Sequence, residues 1–213
     1  MKYELAIFDF DGTLANSFPF FMKVYNELAA RHRFRPVEAH EVDVLRGLSP
    51  REIMRHVELP ATRLPQVATE FIAMMRAQRH TIAPFPGATD LLVDLRNRGI
   101  QVAVVSSNAY DNVESILGPT AIAAIQHVSC GMSIFGKRSH LKKVVRSSRV
   151  QPSKAIYIGD QPTDLDAAHA EGIAFGAVGW GYALLDTLKA LGAQHAFDSV
   201  DEIATLFDVP SRS

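Results

Sequence analysis

The segment LAIFDFDGTL, residues 5–14, indicates the fold class, because an apolar run in it ends in two acids. Residues 5–10 are almost wholly apolar, which is typical of a strand buried on both faces, and Gly12 then allows a turn. Side chains two residues apart on an extended segment point to the same side, so Asp9 and Asp11 could face one pocket. Two carboxylates in one pocket repel each other unless a cation or a proton intervenes. The stretch therefore predicts a buried strand with a charged site at its carboxyl end.

Two simpler explanations exist for these acids. Asp-Gly is a common turn dipeptide, so Asp11 and Gly12 could merely keep a turn hydrated. An EF-hand loop needs its glycine at position six, after three spaced oxygen ligands, whereas Gly12 follows only Asp9 and Asp11. The hydrated turn stays open at this point, and the calcium loop is excluded.

The composition is that of an ordinary globular protein with room for one core and an insertion: 213 residues, 47% hydrophobic and 21% charged. A net charge of -1, with dispersed Lys and Arg, argues against nucleic acid as a partner. The single cysteine, Cys130, excludes an internal disulfide and suits a reducing compartment. Neither a signal-like segment nor a bilayer-length apolar run is recognisable, so we expect a cytoplasmic protein without membrane contact.

The chain changes character twice. Residues Phe18–His80 have helix-like periodicity punctuated by prolines, which predicts a helical insertion. From Pro86 onwards, apolar strand-like runs alternate with helical patterns, which predicts an α/β fold with a doubly wound parallel sheet. We therefore expect a catalytic core formed by residues 1–15 and 84–213, with a helical cap formed by residues 16–83.

Polar side chains stand at the predicted carboxyl ends of the strands, where ligands bind in such sheets. Hard oxygen ligands from Asp9 and Asp160, completed by water, would suit magnesium. A phosphoryl group there would meet the cation, the Ser106 hydroxyl and the Lys137 charge. Attack by the Asp9 carboxylate would give an acyl phosphate, while Asp11 would protonate the leaving group and later deprotonate water.

The motifs that carry this chemistry are DFDGTL at residues 9–14, a strand ending in Ser106, a downstream Lys137, and GDQPTD at residues 159–164. In this order they resemble the haloacid dehalogenase superfamily of aspartyl phosphotransferases. The resemblance covers essentially the whole chain, and implies a Rossmann-like core with a helical cap. Within the superfamily the chain is most similar to the phosphoglycolate phosphatase branch, including VGWGY at residues 178–182.

The resemblance assigns roles to individual residues. It implies Asp9 as the nucleophile, Asp11 as the acid/base, and metal-site carboxylates in the GDQPTD motif. Lys142 and Lys143 are rivals of Lys137 as the phosphate lysine, and Asp166 is a weaker rival of Asp164. The expected site comprises the metal ligands Asp9, Asp11, Asp160 and Asp164, the phosphate contacts Ser106, Ser107 and Lys137, and the cap contacts Arg46, Gly47 and Arg51.

We therefore expect a magnesium-dependent phosphatase that acts on a small phosphomonoester, with phosphoglycolate as one candidate. Dehalogenases of the superfamily lack a second acid such as Asp11, which argues against that activity. Phosphonate hydrolysis needs a lysine in the cap loop, whereas Lys23, the only lysine of the insertion, lies near its start. A phosphomutase is the main alternative, because LRGLSPRE at residues 45–52 resembles the cap loop of beta-phosphoglucomutase. A non-catalytic binding protein would not need Asp9, Asp11 and Asp160 together. No motif encodes the physiological substrate or the oligomeric state.

Overall fold

The computed structural model of the chain describes residues 2–48, 50–131 and 136–208. In this part, one parallel sheet has the order β3-β2-β1-β4-β5-β6. Because β1 lies between β2 and β4, the strand order reverses beside it, and loops at that point open a crevice for ligands. The predicted α/β fold class is confirmed. The strands are β1 (Leu5–Phe8), β2 (Gln101–Ser106), β3 (His127–Cys130), β4 (Ala155–Gly159), β5 (Ala174–Val178) and β6 (His195–Phe197).

Helices cover both faces of the sheet, and β1 shows why. Its residues alternate between two separate apolar clusters, with Ala6 and Phe8 in one and Leu5 and Ile7 in the other. Both clusters exclude water, so the strand that carries the first acidic motif is buried on both faces. The helices that follow the predicted cap segment and accompany the sheet are α5 (Ala88–Asn97), α6 (Tyr110–Ala124), α7 (Gly136–Ser148), α8 (Pro162–Ala170), α9 (Leu185–Ala190) and α10 (Val200–Thr205).

Four further α-helices lie between β1 and α5 in the described part of the chain, as the periodicity predicts. They are α1 (Phe18–His32), α2 (Val42–Arg46), α3 (Pro50–His56) and α4 (Leu64–Gln78). The two connections to this helical insertion run side by side, since Asn16 N donates to Ala83 O at 2.9 Å and Phe85 N to Leu14 O at 2.9 Å. This adjacency supports the predicted division into core and cap, which stays a prediction.

Two elements escape the sequence reasoning. Helix α6 is interrupted by Gly118 and Pro119, whose turn and ring break the helical pattern. Strand β6 has three residues, too few for an alternation to be recognised. Across the described residues, none of the helices combines the length and apolarity needed to span a membrane.

Candidate active site

Three carboxylates meet at the carboxyl end of the sheet. Asp9 follows β1, Asp160 follows the neighbouring strand β4, and Asp164 lies in the first turn of α8. One carboxylate oxygen of each lies within 4.8 Å of the others, and their exposed fractions are 1%, 0% and 0%. The structure thus brings together three of the four predicted metal-ligating side chains. Buried carboxylates this close repel each other strongly unless positive charge lies among them.

Lys137 supplies part of that positive charge. Its Nζ lies 2.9 Å from Asp9 Oδ2 and 2.6 Å from Asp164 Oδ1. Burial would lower the pKa of Lys137, but the charges of Asp164 and Asp9 raise it above its usual value. The structure places Lys137 in the first turn of α7 rather than in a loop. Lys142 and Lys143 are exposed on the same helix, and only Lys137 faces the carboxylates.

The charge balance fits a divalent cation. When all three carboxylates are ionised, the single ammonium leaves two negative charges uncompensated in a buried site. Burial, and then the charge of Asp164, raise the pKa of Asp160 to about 7. Burial also raises the pKa of Asp9 above its usual value, against the effect of Lys137. Oxygen donors of this kind are those preferred by magnesium.

Each oxygen of Asp160 has a fixed donor. Thr13 Oγ1 donates to Oδ1 at 3.2 Å, and the backbone N–H of Tyr182 donates to Oδ2 at 2.7 Å. The loop after β5 and the turn after β1 therefore orient this carboxylate from both sides. Such outer contacts fix the geometry of a metal ligand.

Asp164 is oriented by its own helix and by the sheet. Its Oδ2 accepts the N–H of Gln161 at 3.1 Å, which forms a capping box at the start of α8. Its Oδ1 accepts the hydroxyl of Tyr157 at 3.0 Å. The rival acid Asp166 is exposed on the same helix and lies outside the cluster.

The side chain of Asp11 is not part of the carboxylate cluster. Its Oδ2 accepts Nδ2 of Asn108 at 3.0 Å. The amide of Asn108 is oriented unambiguously, because its Oδ1 accepts the N–H of Ala109 and Nδ2 of Asn112, both at 2.8 Å. Burial raises the pKa of Asp11, while the hydrogen bond from Asn108 lowers it. An acid held apart from the cluster suits proton transfer better than side-chain ligation of a cation.

Ser106 and Ser107 differ in position. Ser106 is buried at the end of β2, beside β1, and its Oγ accepts the N–H of Asn108 at 2.9 Å, which leaves its hydroxyl proton free to be donated. Ser107 is exposed. Ser106 thus has the geometry of a strand-end phosphate donor.

The predicted cap contacts are only partly visible. Arg46, at the end of α2, donates from Nη2 to Gly181 O at 2.8 Å and from Nε to Tyr182 O at 3.1 Å. Gly47 follows it and is exposed. The side chain of Arg51 lies outside the described part of the chain. Contact of Arg46, Gly47 and Arg51 with a substrate stays a prediction.

Sequence reasoning missed the residues that orient the acids. They are Thr13, Asn108, Tyr157 and Tyr182. Thr13 has a signal, because it follows the second acid within DFDGTL, and Asn108 stands at a strand end. Tyr157 lies inside an apolar strand, and Tyr182 acts through its backbone, so residue type gives no signal for either.

Comparison with known proteins places this geometry in a family. Residues 6–178 match the haloacid dehalogenase-like hydrolase family. A phosphoglycolate phosphatase from Synechococcus elongatus is 31% identical over 84% of this chain and 85% of its own length. The tyrosine-protein kinase PtkA of Mycobacterium tuberculosis is 32% identical over 86% of this chain, which spans 64% of the kinase. A haloacid dehalogenase-like family hydrolase from Streptococcus pneumoniae shares the fold with a TM-score of 0.80, at 17% identity over 97% of this chain and 99% of its own.

The fold and the buried acids therefore define a hydrolase with a doubly wound core. The chain belongs to the haloacid dehalogenase-like hydrolase family. The predicted family is confirmed, and so is the predicted class of enzyme, a phosphoric monoester hydrolase.

Proposed function

We propose that the chain hydrolyses a small phosphomonoester in a magnesium-dependent reaction, through an aspartyl phosphate on Asp9. The observation that carries this proposal is the buried cluster of Asp9, Asp160 and Asp164 against Lys137. A divalent cation bound there would neutralise the carboxylates and polarise the phosphoryl oxygens. Asp9, Asp160 and Asp164 would hold the cation.

The chain's own residues supply the two chemical steps. A carboxylate oxygen of Asp9 attacks phosphorus, the bond from phosphorus to the ester oxygen breaks, and Asp11 gives its proton to the departing oxygen. Asp11 then takes a proton from water as the water oxygen attacks phosphorus. The bond from phosphorus to the Asp9 oxygen breaks, which restores the carboxylate and releases phosphate. Burial raises the pKa of Asp11, which supports its protonated role in the first step.

Ser106 and Lys137 are proposed to hold the phosphoryl oxygens. The Ser106 hydroxyl has a proton to donate, and Lys137 Nζ already lies 2.9 Å from the attacking carboxylate. A fixed ammonium and a fixed hydroxyl stabilise charge that develops on phosphoryl oxygens during transfer. Ser107 is a weaker candidate for the same role, since it is exposed.

Phosphoglycolate is the first candidate substrate, because the relative from Synechococcus elongatus carries that activity in its name. Phosphoryl transfer to a second acceptor, as in a phosphomutase, is the alternative. The kinase name of another relative, at 32% identity, gives a specific reason to test acceptors other than water.

The test is phosphate release from phosphoglycolate, sugar phosphates, nucleotides and para-nitrophenyl phosphate, with magnesium and with chelator. Asp9→Asn should abolish phosphate release, because an amide is a poor nucleophile. The variant should still fold, since the amide is similar in shape to the carboxylate. Asp166→Asn is the matched control, since this acid is exposed on α8, and its activity should equal that of the wild type. Full activity in chelator, or in Asp9→Asn, refutes the proposal. Products in which the phosphoryl group has moved to a second hydroxyl would favour the mutase.

A further inference from the structure

The loop after β5, residues 179–184, packs directly on Asp160. Tyr182 N donates to Asp160 Oδ2 at 2.7 Å, and Ala183 N donates to Asp160 O at 3.2 Å. At Gly181 the approach is so close that an added Cβ would lie 2.1 Å from the Cβ of Asp160. The position of this loop therefore fixes the position of the carboxylate.

The helical insertion is hydrogen-bonded to the same loop through Arg46. The guanidinium of Arg46 donates to the carbonyls of Gly181 at 2.8 Å and Tyr182 at 3.1 Å, while Arg46 O accepts the N–H of Leu184 at 3.3 Å. The side chain of Arg46 is 22% exposed, and its guanidinium lies 5.8 Å from the ring centroid of Phe18. The planar guanidinium donates to two successive carbonyls at once, and the flexible ammonium of a lysine does not reproduce this geometry.

Aromatic contacts reinforce this junction. The ring of Tyr182 packs edge-on against the rings of Phe18 and Phe21, with centroid distances of 5.1 Å and 5.5 Å. Its hydroxyl oxygen lies 3.2 Å from Ser17 Oγ. Residues 17–21 belong to the start of the helical insertion, so Tyr182 contacts the insertion with its side chain and Asp160 with its backbone. One residue thus joins the insertion to the acidic cluster.

We propose that Arg46 is a positioning residue that couples the placement of the helical insertion to the metal affinity of the site. When the insertion lies against the core, Arg46 holds the carbonyls of Gly181 and Tyr182, and the loop presents the Tyr182 N–H to Asp160. When the insertion moves away, the loop loses those donors and Asp160 loses its orientation. By linkage, cation binding in turn favours the closed arrangement. The inference rests on the proposed metal site.

The test uses the full chain with Arg46→Ala and Arg46→Lys, and with Arg31→Ala as the matched control. Arg31 also belongs to the insertion, but it is half-exposed and pairs with Glu27 and Glu70. The first readout is the rise of the melting temperature as magnesium is added without substrate, which gives an apparent dissociation constant. The second is kcat/KM on phosphoglycolate and on para-nitrophenyl phosphate.

Both Arg46 variants should weaken apparent magnesium affinity by about 10-fold. This is the lower end of the roughly 10- to 100-fold cost of losing an outer contact to a metal ligand, because Arg46 acts on Asp160 through the loop. They should lower kcat/KM equally on both substrates, while Arg31→Ala matches the wild type. If Arg46 merely attracted the distal anionic group of the substrate, its replacement would lower activity on phosphoglycolate alone. Arg46→Lys would then retain much of that activity. Arg46→Lys keeps the aliphatic stem, and it decides the matter if Arg46→Ala does not fold.

Unchanged magnesium affinity in the Arg46 variants overturns the inference, and so does a loss confined to phosphoglycolate. Either result would leave the proposed function in place, because the wild type would still respond to magnesium and release phosphate. A wild type without response to magnesium would instead refute the proposed metal site, and the inference with it.

Discussion

Lys137 and Asp9 form a largely buried ion pair, with Nζ 2.9 Å from Oδ2, at the point where β1 ends. The same ammonium pairs with Asp164, so its removal leaves buried carboxylates without their protein cation. Breaking a buried ion pair by removing one partner costs about 3–5 kcal/mol. Lys137 is therefore needed to compensate the buried carboxylates in the folded chain, as well as for the proposed phosphate site.

Replacing Lys137 by Ala should therefore reduce the free energy of unfolding by about 3–5 kcal/mol in chelator and abolish phosphate release. Lys142→Ala removes an exposed lysine from the same helix, and should change stability by less than about 0.5 kcal/mol. Urea unfolding in chelator and in magnesium measures the free energy of unfolding of both variants. Magnesium should restore part of the lost stability, because the cation also neutralises the carboxylates. Equal stability of the Lys137 and Lys142 variants would contradict this account.

Asn108 should matter through Asp11. Asn108→Ala removes the donor to Asp11 Oδ2, so the acid loses its fixed orientation. We expect kcat to fall by about 10- to 100-fold, with little change in KM. This is less than the roughly 10²- to 10⁴-fold that a positioned acid–base group contributes, because Asp11 itself remains in the variant. Asn97→Ala, an exposed asparagine at the end of α5, is the control. Steady-state kinetics with para-nitrophenyl phosphate decides, and an unchanged kcat would remove Asn108 from the mechanism.

The sequence predicts the acidic cluster because parallel strands end at the same edge of a sheet. Asp9 and Asp160 follow strands whose apolar runs are unmistakable, and those strands are neighbours in the structure. Position in the chain thus determines position in space for these acids. The same logic places Ser106, which is the last residue of β2, the strand on the other side of β1.

The contacts that orient the acids are much harder to predict. Arg46 donates to carbonyls 135 and 136 residues away, and Asp160 accepts a backbone N–H 22 residues away. Any residue type provides a carbonyl and almost any provides an N–H, so the sequence gives no signal for these partners. Only the packing of the loop after β5 against the helical insertion brings them together.

Glu41 should make the stability of the helical insertion depend on pH. The N–H of Glu38, and then Arg35 and His56, hold the pKa of Glu41 at about 2, from its usual 4.5. Because the folded pKa is lower than the unfolded one, the stabilisation is present above about pH 4.5 and is lost as pH falls through 2. Glu41→Gln should therefore lower the melting temperature at pH 7, and the difference should vanish near pH 2.

Thermal unfolding followed by circular dichroism between pH 2 and 7, at roughly two-unit steps, measures this difference. Glu58→Gln, at an exposed glutamate of the same insertion, is the control. A Glu41→Gln penalty that is the same at every pH would show that the loss is one of packing and not of charge.

Gly181→Ala should damage the metal site without a change of charge. An added Cβ at this position would lie 2.1 Å from Asp160 Cβ and 2.5 Å from its Oδ2, so the carboxylate must move. Displacement of a ligand by about 1 Å is enough to cost about 100-fold in activity. We expect loss of the magnesium-dependent rise in melting temperature together with loss of phosphate release. Gly179→Ala is the matched control in the same loop. The atoms nearest to its added Cβ belong to Leu185, Phe197 and Asp198, at 3.3 Å or more, so magnesium affinity should be retained. Retention of full magnesium affinity in Gly181→Ala would mean that the cation does not depend on Asp160, and the proposed ligand set would have to be abandoned.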